Sequence, residues 1–336
     1  MGSASGAVAV RCGIVLAAGE GERLKAFVYR LRGDALPKQY VNFIGTRSML
    51  EHTFSRVQRL IPPTRLCTVV SRDHLVRPEV RRQLLGRPRG TVVVQPANKG
   101  TGPGILLPLM HLYKRHPEAV SAVFPSDHFI LEEDLFNAHV DLAFRVVERY
   151  PSFMVLLGVK ASEPEPEHGY IVPGKTADGL ALLALQEVLG FVEKPNPMAA
   201  QELISRGGLW NTLIMVFKAK TLFDLVWRIA PELRSPFERI RGGIGSPRES
   251  EIVDEAYEDT RPVDFSRQVL EVISLWHPAH LLVLPVHGVH WCDWGSARRV
   301  LNAIRKVAPL ERLGGRAARD AMLVGETDGT IRRMAG

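Results

Sequence analysis

Short apolar, β-branched runs alternate along the first half of the chain with stretches whose apolar positions recur at helical spacing. Residues 13–17, 66–70, 91–95, 121–124 and 153–159 read as buried strands. Between them, 49–60, 78–85, 104–114 and 135–149 read as helices. Strands that are apolar on both faces and separated by helices predict a parallel sheet covered on both sides. The expected fold class is therefore α/β, with a Rossmann-like doubly wound, mostly parallel sheet.

After residue 159 the rhythm changes. Residues 163–169 form an acidic, proline-containing loop, 185–193 and 213–217 read as strands of an antiparallel region, and 221–229 as a helix. Residues 281–286 add a strand and 296–307 a helix after a turn. These are expected as antiparallel insertions on the same sheet. The expected organisation is a loose leader over 1–12, one domain over 13–308 with halves 13–150 and 151–308, and a tail over 309–336.

Charge changes this picture. Of 43 Lys+Arg and 36 Asp+Glu, residues 1–120 hold 19 basic and 7 acidic side chains, a balance of +12 against −5 for the rest. A basic first half suits an anionic partner, nucleotide phosphate or nucleic acid; no usual nucleic-acid-binding motif is present. The three cysteines, Cys12, Cys67 and Cys292, are widely spaced, which argues against structural zinc and disulfides and for the cytoplasm. No apolar run is long enough to span a membrane, and a homo-oligomer stays open.

Candidate chemistry gathers at the strand ends. After the first strand comes Leu16-Ala-Ala-Gly-Glu-Gly-Glu-Arg-Leu24. Gly19 and Gly21 let the backbone turn tightly and bring bare N–H groups to phosphate, and Arg23 adds a donor fork. Leu24 stands where a dinucleotide fingerprint needs its third glycine. Lys38, in Pro37-Lys-Gln-Tyr40, follows as a point charge in reach of the same phosphates. Gln95, at the head of Gln95-Pro-Ala-Asn-Lys-Gly-Thr101, offers an amide suited to a base edge, and Gly100 lets backbone approach that base. Asp127, in Phe124-Pro-Ser-Asp-His128, is a carboxylate at a strand tip and a natural Mg²⁺ ligand; His128 is given no role. In the second half, Gly169-Tyr170, Phe191-Val-Glu-Lys-Pro195, Trp210-Asn211 and Trp291-Cys-Asp-Trp-Gly-Ser296 supply Glu193, Lys194, Asn211 and Asp293. Singly, each reads equally well as a surface pair, a rim aromatic or a turn.

Taken in order, LAAGxGxR, PKQ, QPxNKGT, FPSDH, GY, FVEKP, WN and WxDxGS resemble the bacterial sugar-1-phosphate nucleotidyltransferases, and among them the mannose-1-phosphate guanylyltransferases. The resemblance runs from about residue 13 to 307. It implies that Arg23 and Lys38 hold a nucleoside triphosphate, with Gly19 and Gly21 beside it. Gln95 and Gly100 would contact the base, with the Leu16 backbone near. Asp127 and Asp293 would hold Mg²⁺. Gly169, Glu193 and Asn211 would face the sugar and Lys194 its phosphate, so that 13–150 binds nucleotide and 151–308 binds sugar. Departures from the pattern are Ala18, a long loop over 25–36, Lys99, Gly102 and Gly104 in place of alanines, and the segment 263–270, whose Asp264 has no assigned role.

The activity this implies is GTP plus mannose-1-phosphate to GDP-mannose and pyrophosphate. Glucose-1-phosphate with dTTP or UTP, a non-catalytic nucleotide-sugar sensor and a nucleic-acid-binding protein are the alternatives.

Overall fold

A computed structural model describes residues 9–307, apart from 178, 181 and 182. Eleven strands are defined among them: β1 (Arg11–Ala17), β2 (Leu66–Ser71), β3 (Val92–Gln95), β4 (Val120–Pro125), β5 (Phe129–Ile130), β6 (Met154–Lys160), β7 (Gly169–Thr176), β8 (Gln186–Glu193), β9 (Leu209–Lys218), β10 (Leu281–Val286) and β11 (Trp291–Cys292). Nine form one sheet in the order β3-β2-β1-β4-β9-β6-β10-β8-β7, while β5 and β11 pair apart from it. Strands β1 to β4 are parallel. Strand β9 runs antiparallel between β4 and β6, β10 returns parallel to β6, and β7 and β8 are antiparallel.

Alternation within each strand feeds two layers. Val15, Ala17, Phe124 and Leu157 face one core with the helices Met49–Val57, Glu133–Arg149 and Ala297–Val307. Cys12, Ile14, Val123 and Leu156 face the other, against Thr101–Arg115 and Ala219–Ile229. Because both faces are covered, the central strands β4, β6 and β10 carry hardly a polar residue.

The α/β class holds, with corrections of detail. Strand β1 already begins at Arg11, inside the stretch expected as a leader. Arg11 is fixed there by Asp141 at 2.6 Å and Glu148 at 2.7 Å. The long loop expected over 25–36 contains a helix, Lys25–Arg32, which buries Phe27 and Val28 and stops at left-handed Gly33; a Gly at that position is a regular helix stop. The helices Arg234–Gly243 and Glu249–Asp259 and the strand β7 were not anticipated. The tail over 309–336 lies outside the described residues.

Burial holds the imidazoles of His52 and His111 below the ordinary histidine range. The unfolded chain therefore takes up these protons more readily than the folded one. Stability is fully present above about pH 6.5, the unperturbed value, and falls as pH drops through it toward the folded values. The melting temperature should decline between pH 7.5 and 5, and His111→Gln should flatten that decline. Parallel curves for the two proteins would overturn this account.

Candidate active site

The chain passes from β1 outward to β2 and β3, then crosses back to β4 on the other side of β1. That reversal opens a crevice beyond the carboxyl ends of β1 and β4, where open α/β sheets bind ligands. The glycine loop leaves β1 into it. Gly21 has φ of 63° and heads a short 3-10 turn. Gln39 donates to the carbonyls of Ala17 and Gly19, both at 2.8 Å, and the Tyr40 hydroxyl donates to Ala17 at 3.0 Å. The Lys-Gln-Tyr run thus pins the loop.

Lys38 is placed differently from expectation. It is buried, and its three donors are engaged: Asp127 Oδ2 at 2.9 Å and the carbonyls of Asp293 and Trp294 at 3.0 and 3.1 Å. A buried ammonium needs these partners. Lys38 therefore tethers the loops that carry the two carboxylates, and it is Arg23, about half exposed, that lies open to an anion. Arg23 meets Glu167 at 2.6 Å and Asp293 at 4.0 Å.

Asp293 follows β11. Its Oδ1 lies 3.0 Å from Arg299 Nε and 3.3 Å from His168 Nε2, and Arg299 Nη2 donates to Oδ2 at 3.3 Å. Burial alone would raise this carboxyl, but His168, Arg299 and Lys38 together hold it well below the usual carboxylate range. Arg299 also pairs closely with Glu165, joining the acidic loop to Asp293. His128 is pushed down to about 4, chiefly by burial. Its Nδ1 accepts from Trp291 Nε1 at 3.2 Å, which suits a neutral, structural ring.

Gln95 ends β3 and is buried, with its Oε1 left without a hydrogen-bond partner. It lines a cavity of about 260 Å³ with Leu16, Gly19, Gly100, Thr101 and Asp264. Leu16 lines that cavity as well, and its carbonyl already accepts the Ser126 N–H at 3.1 Å and hydroxyl at 2.6 Å. Gly100, at φ 85°, is required by close packing, since a Cβ there would stand 2.5 Å from the Val263 carbonyl oxygen.

Across the crevice, Gly169 opens β7 opposite Glu193 in β8. A Cβ at Gly169 would stand 2.5 Å from Glu193 Oε2. Burial raises the Glu193 carboxyl, with Lys194 opposing and Asp264 and Glu271 adding to it. Lys194, whose Nζ is 3.4 Å from Glu193, has φ of 51°, and Leu213 beside Asn211 has φ of 55°. Trp294, next to Asp293, has φ of 46°. Non-glycine residues held at positive φ cost of order 1–3 kcal/mol each and cluster at functional sites.

These groups line three adjoining cavities. The cavity beside Gln95 shares Thr101 and Asp264 with one of about 190 Å³ containing Gly169, Glu193, Lys194, Asn211 and Asp293. That one shares Arg23 with a cavity of about 220 Å³ containing Gly21, Lys38 and Asp127. A larger cavity of about 610 Å³ lies behind Trp294, against Phe43, Met49 and Arg56; it holds none of the expected site residues. Sequence reasoning missed Glu165, Glu167, His168 and Arg299. His168 and Glu167 directly precede a motif glycine, but nothing in the local pattern separates buried Arg299 from exposed Arg298.

Among the described residues no group of three or more His, Cys, Asp or Glu side chains converges as a metal site. Mg²⁺ does not need one: it binds through one or two carboxylates and completes its shell with water and substrate phosphate. Asp127 and Asp293, on loops tied together through Lys38 and the Asp293 carbonyl, offer two such carboxylates.

A sequence profile for nucleotidyl transferases matches residues 12–308. The chain belongs to the nucleotidyl transferase family. Mannose-1-phosphate guanylyltransferase of Escherichia coli K12 is 27% identical over 286 residues, 84% of this chain and 57% of that protein. The xanthan biosynthesis protein XanB of Xanthomonas campestris is 25% identical over 86% of this chain and 58% of its own. The chain thus spans about half the length of the curated relatives it matches. Among solved structures, a Thermus thermophilus protein described as a mannose-1-phosphate geranyltransferase superposes with TM-score 0.73 at 26% identity, covering 88% of this chain and 78% of that one. A UDP-glucose pyrophosphorylase complexed with UDP-glucose, at TM-score 0.53 and 13% identity over 90% of this chain and all of that one, shares the nucleotidyl transferase fold. No helix among the described residues is long and apolar enough to cross a membrane.

Proposed function

We propose that this nucleotidyl transferase joins a nucleoside triphosphate to a sugar-1-phosphate in the cytoplasm and releases pyrophosphate, with GTP and mannose-1-phosphate as the pair. The observation that carries the reading is the run of three adjoining cavities, one with a base-reading amide, one with hydroxyl acceptors and a lysine, and one with a glycine loop between Arg23 and Asp127. The names of the relatives support guanine and mannose.

In this reading Gln95 pairs with the base edge, its orphaned Oε1 accepting from guanine. Glu193 and Asn211 take sugar hydroxyls, and Lys194 takes the sugar phosphate. Asp127 and Asp293 would hold Mg²⁺, which when bound would supply neutralisation of the negative charge gathered by the converging phosphates. Arg23 exchanges Glu167 for the departing pyrophosphate. The nucleophile is a phosphate oxygen that is already ionised, so a neutral His128 suffices and no general base is needed. Placement and charge carry the catalysis.

Competition at equal concentrations of GTP, dTTP, UTP, CTP and ATP, with mannose- or glucose-1-phosphate, tests it by pyrophosphate release. GTP with mannose-1-phosphate should win. A preference for dTTP or UTP with glucose-1-phosphate would retire that pair; binding without turnover of any pair would favour a sensor.

A further inference from the structure

We propose that Asp264 reads the ribose, accepting a hydrogen bond from its 2′-hydroxyl and so selecting ribonucleotides over deoxyribonucleotides; this rests on the nucleotidyl transfer proposed above. The segment carrying Asp264 is bound to the base loop. Val263 N donates to the Lys99 carbonyl at 2.9 Å, Gly102 N donates to the Val263 carbonyl at 2.9 Å, and Phe265 N donates to Thr101 Oγ1 at 2.8 Å. Glycines permit the approach: Cβ atoms at Gly100 and Gly102 would stand 2.5 Å from the Val263 oxygen and 2.9 Å from its Cγ1. Asp264 itself is braced, its N–H donating to Gln268 Oε1 at 2.6 Å and its Oδ1 accepting from Arg267 N at 3.2 Å. It therefore keeps a fixed place relative to Gln95 and Gly100.

That place is the junction between the base cavity and the cavity that holds Lys194 and Asp293, which have Asp264 and Thr101 in common. In a nucleotide the ribose is the group between base and α-phosphate, so a nucleotide spanning the two cavities puts its ribose there. Among the described residues no Lys, Arg or His forms an ion pair with the Asp264 carboxylate. An unpaired carboxylate repels the phosphates of a nucleotide, and because an ionised carboxylate is an acceptor only, what can offset that repulsion is a donor elsewhere on the ligand. A ribose hydroxyl supplies the donor. The same cavity holds other acceptors for the sugar hydroxyls, Glu193 and Asn211.

Hydrogen bonds to charged groups are worth roughly 10- to 100-fold in binding. The test compares GTP with 2′-dGTP on the full chain, by kcat/KM and by calorimetry with Mg²⁺. The wild type should favour GTP at least about tenfold, and Asp264→Ala should reduce the preference to about twofold, with Asp264→Asn between them. A merely structural role would weaken both nucleotides alike and leave the ratio unchanged, which overturns the proposal. So does a ratio that shifts between mannose-1-phosphate and its 2-deoxy form instead. Should no sugar phosphate turn over, the function reading fails, and calorimetry still decides for or against the ribose contact.

Discussion

Asp127→Asn and Asp293→Asn should each lower turnover by roughly two to three orders of magnitude, because each removes one of the two carboxylates proposed to hold Mg²⁺, whose charge stabilisation is worth several kcal/mol in the transition state. Their structural costs differ. Asp127 is the only carboxylate within salt-bridge distance of Lys38 among the described residues; its amide leaves a buried ammonium with acceptors but without a counter-charge, so this variant should also melt lower. Losing one partner of a buried pair costs about 3–5 kcal/mol at the upper end. Asp293→Asn leaves Arg299 its contact with Glu165, so stability should fall less. Mn²⁺ binding followed by electron paramagnetic resonance, beside melting curves, separates the two effects. Near-normal turnover of both variants at limiting Mg²⁺ would sink the assignment.

Gly100→Ala should be the most damaging of the glycine substitutions at the start of the helix Thr101–Arg115. It combines a positive φ with a backbone clash that no side-chain rotation relieves. Together these should cost about 2–4 kcal/mol, from an unfavourable φ plus overpacking. Gly102→Ala meets a Val263 methyl at 2.9 Å and should cost less. At Gly104 the nearest atom is Gln95 Oε1 at 3.6 Å, an ordinary contact. There alanine should be neutral or gain up to about 1 kcal/mol of helix propensity. Denaturant unfolding of the three variants gives the order directly, and equal effects at Gly100 and Gly104 would refute the explanation.

These glycines show where the sequence was legible and where it was not. The strands of the first half were readable because burial on both faces leaves continuous apolar runs, and their ends carry Gly19 and Gln95 to one cavity and Asp127 to another. Gly102 and Gly104 looked like equivalent departures that loosen a helix. They differ because Val263, some 160 positions later, packs on only one of them. Lys38 read as a phosphate ligand because sequence order puts it after the glycine loop, but order does not reveal that two carbonyls from 293 and 294 fill its donors. The helix at 25–32 was hidden by a basic, short pattern with two buried side chains, and Arg299 by its neighbour Arg298, identical in type and opposite in burial. Such facts belong to long-range packing and leave no local periodicity to read.

The Lys38 tether also limits how the protein can be taken apart. Its three anchors are the Asp127 carboxylate and the carbonyls of Asp293 and Trp294, which fall on opposite sides of the boundary between the two halves. A chimaera joined near residue 150 would take the lysine and one carboxylate from one parent and both carbonyls from the other, and it would work only where the two parents position those carbonyls alike. The halves differ in the substrates proposed for them, yet they are not interchangeable modules: the smallest exchangeable unit is the whole sheet with its crossing loops.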